Sequence, residues 1–460
     1  MAQHEASDAR DDELQGLTGR RVDLILDAVE ARDTEALSEL LEPLHPADIA
    51  DLLEQIGPVE RRGLLTLWSG EIDGEILSEI SDSIREEVID YLPRHVLTEA
   101  VRELDTDDVV DILEDLEVPQ QEIILGALEM VDRVAVEQAM AYPEYSAGRL
   151  MQREAVVAPM HWTVGEAIDF LRANDRLPDQ FYHVILVDPR MKPQGYVTLG
   201  RLLSSRREVK LTEIEEESFR TIRASQEEAD VAYIFNQYHL ISCPVVDDSD
   251  RLVGVITIDD AMNVLDEEHE EDILRLAGVG DESSISDGVL DTVKQRFPWL
   301  FVNLLTANMA ALVIGQFEAT ISVIVALAAL MPIVASMGGN AGTQALTVAV
   351  RALATRDLTT SNAMRVVRRE AVVGLLNGIG FAIIMGGIGW IGYGSAMLGV
   401  VLGLALIVNL LVAALGGILV PLTLNRMGLD PALSSGTFVT TLTDVIGFFA
   451  FLGLATVILL

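Results

Sequence analysis

GTFVTTLTDVIGF (436–448) continues to Leu460 without a second charged residue, so Asp444 is a single acid in an apolar run long enough to cross a membrane as a helix. An aspartate in such a position costs several kcal/mol unless it faces a polar cavity. Thr437, Thr440 and Thr441 precede it by seven, four and three residues, which places all four side chains on one helical face. A matching stripe lies in MGGNAGTQALT (337–347), where Asn340, Thr343, Gln344 and Thr347 repeat that spacing. Two polar stripes in lipid-spanning helices are expected to face each other.

Upstream of this run the text is almost uncharged in long blocks as far back as Pro298. Five crossings are expected, at 298–317, 320–350, 371–392, 397–424 and 434–459. Pro332 is expected to bend the second. The glycines Gly374, Gly378, Gly386, Gly399, Gly403 and Gly416 allow close helix packing in the third and fourth. Arg351, Arg356, Arg365, Arg368 and Arg369 are read as one basic loop after the second crossing, which puts that loop in the cytoplasm and the C-terminus outside.

Before Pro298 the chain is written for water. Residues 291–460 hold 8 Lys+Arg and 6 Asp+Glu, leaving 24 and 66 for residues 1–290, a net charge of −42. Such a surface repels phosphate backbones, which argues against nucleic acid and for cations as partners. The opening MAQHEASDARDDELQG (1–16) has no basic flank followed by an apolar run, so no signal peptide is expected and this region is read as cytoplasmic. The lone Cys243 excludes an intrachain disulfide and is read as a core residue.

Two internal echoes divide the acidic part. ADIADLLEQI (47–56) matches DDVVDILEDL (107–116) among short amphipathic helices, predicting a helical superhelix over 1–140. HVILVDPRMKPQGYVTLGRLL (183–203) parallels SCPVVDDSDRLVGVITIDDAM (242–262), each preceded by a helical stretch, predicting a tandem α/β pair. DDAMNVLDEEHEEDILRLAGVGDE (259–282) reads as an acidic helix ending near Gly278 and linking this pair to the membrane part.

The polar residues inside the membrane are all hard oxygen donors, which suits Mg²⁺, Ca²⁺ or Mn²⁺ better than copper or zinc. One carboxylate among neutral oxygens fits a hydrated Mg²⁺, and a twofold dimer would present two Asp444 groups about one axis. Other readings of the same residues are Thr and Asn as helix glue, a buried partner for Asp444, or a proton relay. Glu318, at the outer end of the first crossing, is either a cation-attracting entrance residue or a solvated turn.

MPIVASMGGNAGTQ (331–344) and TDVIGF (443–448) resemble the membrane signatures of the MgtE family of magnesium transporters, and the order of segments is similar over nearly the whole chain. The resemblance implies a multidomain membrane protein. Its parts would be an all-α superhelical N domain (1–140), tandem α/β cystathionine-β-synthase-type (CBS) domains (141–262), an acidic plug helix (263–297) and a five-helix pore domain per subunit (298–460). It further implies a homodimer with a pore on the twofold axis, Asp444 as pore aspartate, Asn340 as its second-helix partner, and closure by cytosolic Mg²⁺.

Acids suited to sensing that Mg²⁺ are Asp260, Glu268, Glu271 and Asp272 on the plug with Asp105 and Asp108 on the N domain, whereas His239 and Asn263 stand where further acids are expected. Gly254, Thr257 and Asp260 fit the CBS pattern for ATP or another adenine nucleotide; the first copy has Arg201 where the aspartate would be. The expected function is Mg²⁺ uptake across the cell inner membrane under negative feedback, and no nucleophile–base constellation or phosphate loop suggests an enzyme. Alternatives are a secondary transporter of divalent cations and a non-conducting CBS membrane receptor.

Overall fold

The computed structural model describes residues 17–114, 116–174, 177–178, 180–279, 288–432 and 435–460. The reading of residues 1–16 as lacking a signal peptide, and the Ser-rich stretch within 280–287, lie outside the described residues. The chain divides into two compact units, Met1–Glu268 and His269–Leu460.

The first unit opens with ten short helices: α1 (Gly19–Ala31), α2 (Thr34–Leu41), α3 (Pro46–Gln55), α4 (Pro58–Trp68), α5 (Gly74–Glu79), α6 (Asp82–Tyr91), α7 (Arg94–Glu103), α8 (Thr106–Glu114), α9 (Val118–Ala127) and α10 (Met130–Ala139). Proline in the first turn starts α3 and α4, where its missing N–H would have no partner anyway. From α2 onward most helices pack on the next but one, and their buried Leu, Ile and Val side chains form one continuous core, as a superhelix requires.

Two buried arginines pin successive layers. Arg61 donates to Leu53 O (2.7 Å) and Ile56 O (3.1 Å) at the end of α3 and pairs with Glu87. Arg85 does the same for Ile80 O (3.0 Å) at the end of α5 and pairs with Asp111 at 2.9 Å. In each case a guanidinium satisfies carbonyls that a helix C-terminus leaves without a partner.

The α/β pair follows as α11 (Ala147–Leu150), β1 (Val157–Pro159), α12 (Val164–Ala173), β2 (His183–Val187), β3 (Pro193–Thr198), α13 (Leu199–Ser204), β4 (Ile222–Arg223), α14 (Glu228–Tyr238), β5 (Ser242–Val246) and β6 (Leu252–Thr257). Both sheets have the order parallel then antiparallel, with His183 opposite Thr198 in one and Ser242 opposite Thr257 in the other. The echo in the sequence is the turn between the paired strands. Asp188 accepts from the N–H groups of Arg190 and Lys192, and Asp247 from those of Ser249 and Arg251. Cys243 is buried in β5.

Helix α15 (Ile258–Ala277) ends where Gly278 turns to φ +70°, a conformation glycine adopts at little cost. The second unit then contains α16 (Val289–Gly315), α17 (Glu318–Val323), α18 (Ala326–Ala354), α19 (Ala363–Tyr393), α20 (Ala396–Arg426) and α21 (Ser435–Leu459). Four of these, α16, α19, α20 and α21, are long and apolar enough to cross a membrane. The fifth expected crossing, α18, has the length, and its polar stripe lowers its apolarity.

Several boundaries differ from those expected. The first helix starts at Val289 and runs through Pro298 instead of beginning there. A separate short helix, α17, precedes α18, which continues through Pro332. Arg351, Arg365, Arg368 and Arg369 are not in a loop: Arg351 ends α18 and the other three lie in the first turns of α19. A charge count along the sequence registers which side of a membrane arginines prefer, not whether the backbone there is helical.

Helix α20 is the hub, packing against α18, α19 and α21. Its crossing with α19 is close because glycines face backbone: Gly378 lies against Ile407 and Gly399 against Gly386. Helix α18 turns a stripe of Leu330, Val334, Gly338, Gly342, Ala345 and Ala349 into the bundle.

Candidate functional site

Asp444 is half-buried in the middle of α21, and it has no hydrogen-bond or ion-pair partner among the described residues. Around it the threonines turn their hydroxyl protons inward. Thr440 donates to Gly436 O (2.9 Å), Thr441 to Thr437 O (2.6 Å), and Thr437 to Asn303 Oδ1 of α16 (3.0 Å). On α18, Thr343 donates to Gly339 O and Thr347 to Thr343 O, both at 3.0 Å. Each hydroxyl oxygen thus keeps lone pairs free as an acceptor.

Asn340, Thr343 and Gln344 are exposed, and the amides of Asn340 and Gln344 carry no partner among the described residues. The expectation that the two stripes would face each other within the chain is not met. Helices α18 and α21 meet through Gly342, against Val439 and Thr443, while the α18 stripe occupies the face opposite its buried glycines and alanines. Small residues win the packed face because they allow close approach, and this turns the amides outward. Glu318 is exposed at the first residue of α17.

In the first unit the acids are drawn together by the fold. Asp105 and Asp108 at the start of α8 lie with Asp259 and Asp260 at the start of α15, and with Asp107 and Asp111, which sequence reasoning did not single out. Burial first, then the neighbouring charges of Asp260 and Asp105, pushes the Asp108 carboxyl up to about 7. Asp260 is also pushed up to about 7, mainly by burial, against a hydrogen bond from Thr257 Oγ1 at 2.5 Å that favours the ionised form. Burial likewise raises Asp107, with Asp260 the largest charge acting on it.

A second group surrounds Glu228 of α14, pushed up to about 7 by burial and then by Glu267, Glu114 and Glu268. Among the described residues no group of three or more His, Cys, Asp or Glu stands close enough to hold a metal ion, so these are crowded carboxylates and not a finished chelate.

The remaining two expected sensor acids belong to the second unit. Glu271 pairs with Arg275 at 2.7 Å, and Arg275 also binds Asp430 at 2.7 Å, in the segment after α20. Asp272 is raised by burial and then by Asp430. His239 caps α14 with φ 53°, a left-handed conformation that accounts for a polar residue there without a metal.

The α/β pair forms a narrow cleft lined by Gln152, Tyr182, His183, Tyr196, Ser242 and Thr257 among others. Of the three residues expected to bind nucleotide, Thr257 lines it. Gly254 does not; it lies against Gln152 O, and a Cβ there would come within 2.6 Å of that oxygen. Asp260 is engaged by Thr257 instead. In the first copy Arg201 pairs with Glu216.

Sequence models for known families match about three quarters of the chain. The intracellular N domain of MgtE matches residues 44–145, the CBS domain matches 147–208 and 212–267, and the MgtE divalent cation transporter domain matches 331–454. A Thermus thermophilus protein named magnesium transporter MgtE is 32% identical over 439 residues, covering 94% of this chain and 97% of that one. The chain belongs to the MgtE family. A Bacillus subtilis protein of the same name is 26% identical, with coverage of 91% and 92%. A solved structure described as the cytosolic domain of the Mg²⁺ channel MgtE in complex with ATP is 30% identical and aligns with a TM-score of 0.49, covering 53% of this chain and 99% of that one. MgtE is a family of transporters and not of enzymes, and the four long apolar helices among the described residues of this chain make it a multi-pass membrane protein.

Proposed function

We propose that this protein mediates Mg²⁺ uptake as a homodimer in the cytoplasmic (inner) membrane, and that the ion passes along the polar faces of α18 and α21. The observation that carries this reading is the set of partnerless oxygens, Asp444 half-buried on α21 and Asn340 and Gln344 exposed on α18, in two adjacent helices of the transporter domain. Such a stripe is unfavourable against hydrocarbon, and a second copy related by a twofold axis would cover it and double its carboxylates. Asp444 would hold the hydrated ion, with Asn340, Thr343, Gln344, Thr440 and Thr441 accepting from its water shell and Glu318 at the entrance. Magnesium is the substrate favoured by the relatives' names and by the all-oxygen donor set.

With five crossings, residues 1–297 would be cytoplasmic and the C-terminus outside. The crowded acids then supply regulation by negative feedback. Mg²⁺ would bridge carboxylates that repel one another, Asp105, Asp108 and Asp260 in one group, Glu268 in the second, Glu271 and Asp272 beside Asp430, and so favour a closed state. The cleft between the α/β repeats, with its aromatic walls and Thr257, would be the place for an adenine nucleotide such as ATP as a further input.

The test is Mg²⁺ flux into liposomes through purified protein, wild type against Asp444→Asn. Loss of flux in the variant supports the path. Equal flux rejects it, flux that needs a Na⁺ or H⁺ gradient indicates a secondary transporter, and no flux in the wild type indicates a receptor.

A further inference from the structure

Asn409 stands mid-way along α20 in LALIVNLLVAAL (404–415), and its side chain is fully buried. Its Nδ2 donates to Val334 O of α18 at 2.8 Å, and its Oδ1 is buried with no donor among the described residues. Two glycines make the room it occupies. A Cβ on Gly338 of α18 would overlap the amide, and one on Gly447 of α21 would come within 2.7 Å of Nδ2 and 3.0 Å of Oδ1. Gly338 is two residues before Asn340 and Gly447 three after Asp444, so the amide is wedged between the ion-path helices at the level of their polar residues.

In lipid no hydrophobic force presses helices together, so close small-residue contacts and interhelical hydrogen bonds set their relative position. Two approaching glycines are sufficient for tight packing; a buried acceptor without a donor is a cost that packing alone gives no reason to carry. An amide held by one carbonyl and flanked by two glycines instead fixes both the depth and the rotation of α18 against α21.

We infer that Asn409 is a positioning residue for ion selection: through Val334, Gly338 and Gly447 it sets the spacing of Asn340, Gln344 and Asp444 without touching the ion. This rests on the ion path proposed above, which Asp444→Asn tests separately: wild-type flux in that variant would remove the path, whatever Asn409 does.

The experiment measures flux through full-length protein in liposomes, per amount of folded protein, against Mg²⁺ concentration and with Ca²⁺ in place of Mg²⁺. Asn409→Ala is expected to raise half-saturating Mg²⁺ about fivefold and to lower the Mg²⁺/Ca²⁺ flux ratio by a similar factor, as the loss of one interhelical hydrogen bond implies. Gly338→Ala alone is expected to impair flux, and the double variant Gly338→Ala/Asn409→Ala to recover part of it, because the methyl enters space the amide has left. Asn409→Ser, which keeps a donor, is expected to retain the wild-type ratio better than Asn409→Ala. The inference is overturned if Asn409→Ala changes only thermal stability while half-saturation and ion ratio stay within about twofold of wild type. A double variant no better than Gly338→Ala, or Asn409→Ser equal to Asn409→Ala in ion ratio, overturns it as well.

Discussion

The acidic helices and the apolar helices of this chain treat carboxylates in opposite ways. In the first, Asp105, Asp107, Asp108, Asp111, Asp259 and Asp260 are crowded together, and the cost appears as raised proton affinity at Asp107, Asp108 and Asp260. In the second, Asp444 stands alone in an apolar helix with no partner among the described residues. Crowded acids suit an ion that stays and changes the balance of a fold; a solitary acid suits one that arrives, is held briefly and leaves.

The largest test of that contrast is at the solitary acid. Asp444→Asn is expected to cut Mg²⁺ flux about a hundredfold, the factor that follows from a charged contact of ~3 kcal/mol, with the assembly state by gel filtration unchanged. Unimpaired flux would erase the contrast.

Next in size is Arg85→Ala, which leaves Ile80 O and Asp111 without their buried partner. It is expected to destabilise the first unit by about 3 kcal/mol, read as faster amide exchange across α5–α8 with α18–α21 unaffected. Asp108→Asn should do the reverse, removing repulsion with Asp260 and Asp105: about 1 kcal/mol of stabilisation without Mg²⁺ and a smaller gain when Mg²⁺ is added. A larger Mg²⁺ response in this variant would contradict a sensing role.

The smallest expected effect is on pH. Asp108, Asp260 and Glu228 have folded-state values near 7, above their ordinary ones, so the folded unit binds more protons than the unfolded chain. Their contribution is fully present below about pH 4 and is lost as pH rises to about 7. In Mg²⁺-free buffer the melting temperature of the first unit is therefore expected to fall from pH 5 to pH 7 and then level off, and added Mg²⁺ should flatten the curve. A melting temperature that rises over this window would show that the acids are not crowded in solution.

Much of this was legible in the text because it depends on local pattern. The membrane helices announce themselves by lack of charge, the α/β repeat by its Asp turn, and the polar stripes by helical spacing. What was not legible depends on partners far along the chain. Asp107 and Asp111 sit inside a stretch already quoted for its periodicity, yet only the approach of α15 gives them a second meaning. Asn409 looks like one polar residue in an apolar helix until Val334 and two distant glycines close on it. The outward turn of the α18 stripe could not be read from spacing either, since period 3.6 says which residues share a face but not which face the bundle selects.

The threonine bonds to backbone carry one more consequence. Because Thr343, Thr347, Thr440 and Thr441 spend their hydroxyl protons on carbonyls of their own helices, their oxygens can only receive hydrogen bonds. Water around a cation points its hydrogens outward, and water around an anion points its oxygens outward. These four oxygens therefore match the dipole orientation of a cation's hydration shell and oppose that of an anion's, a discrimination by sign that a neutral side chain exerts before any charged group is reached.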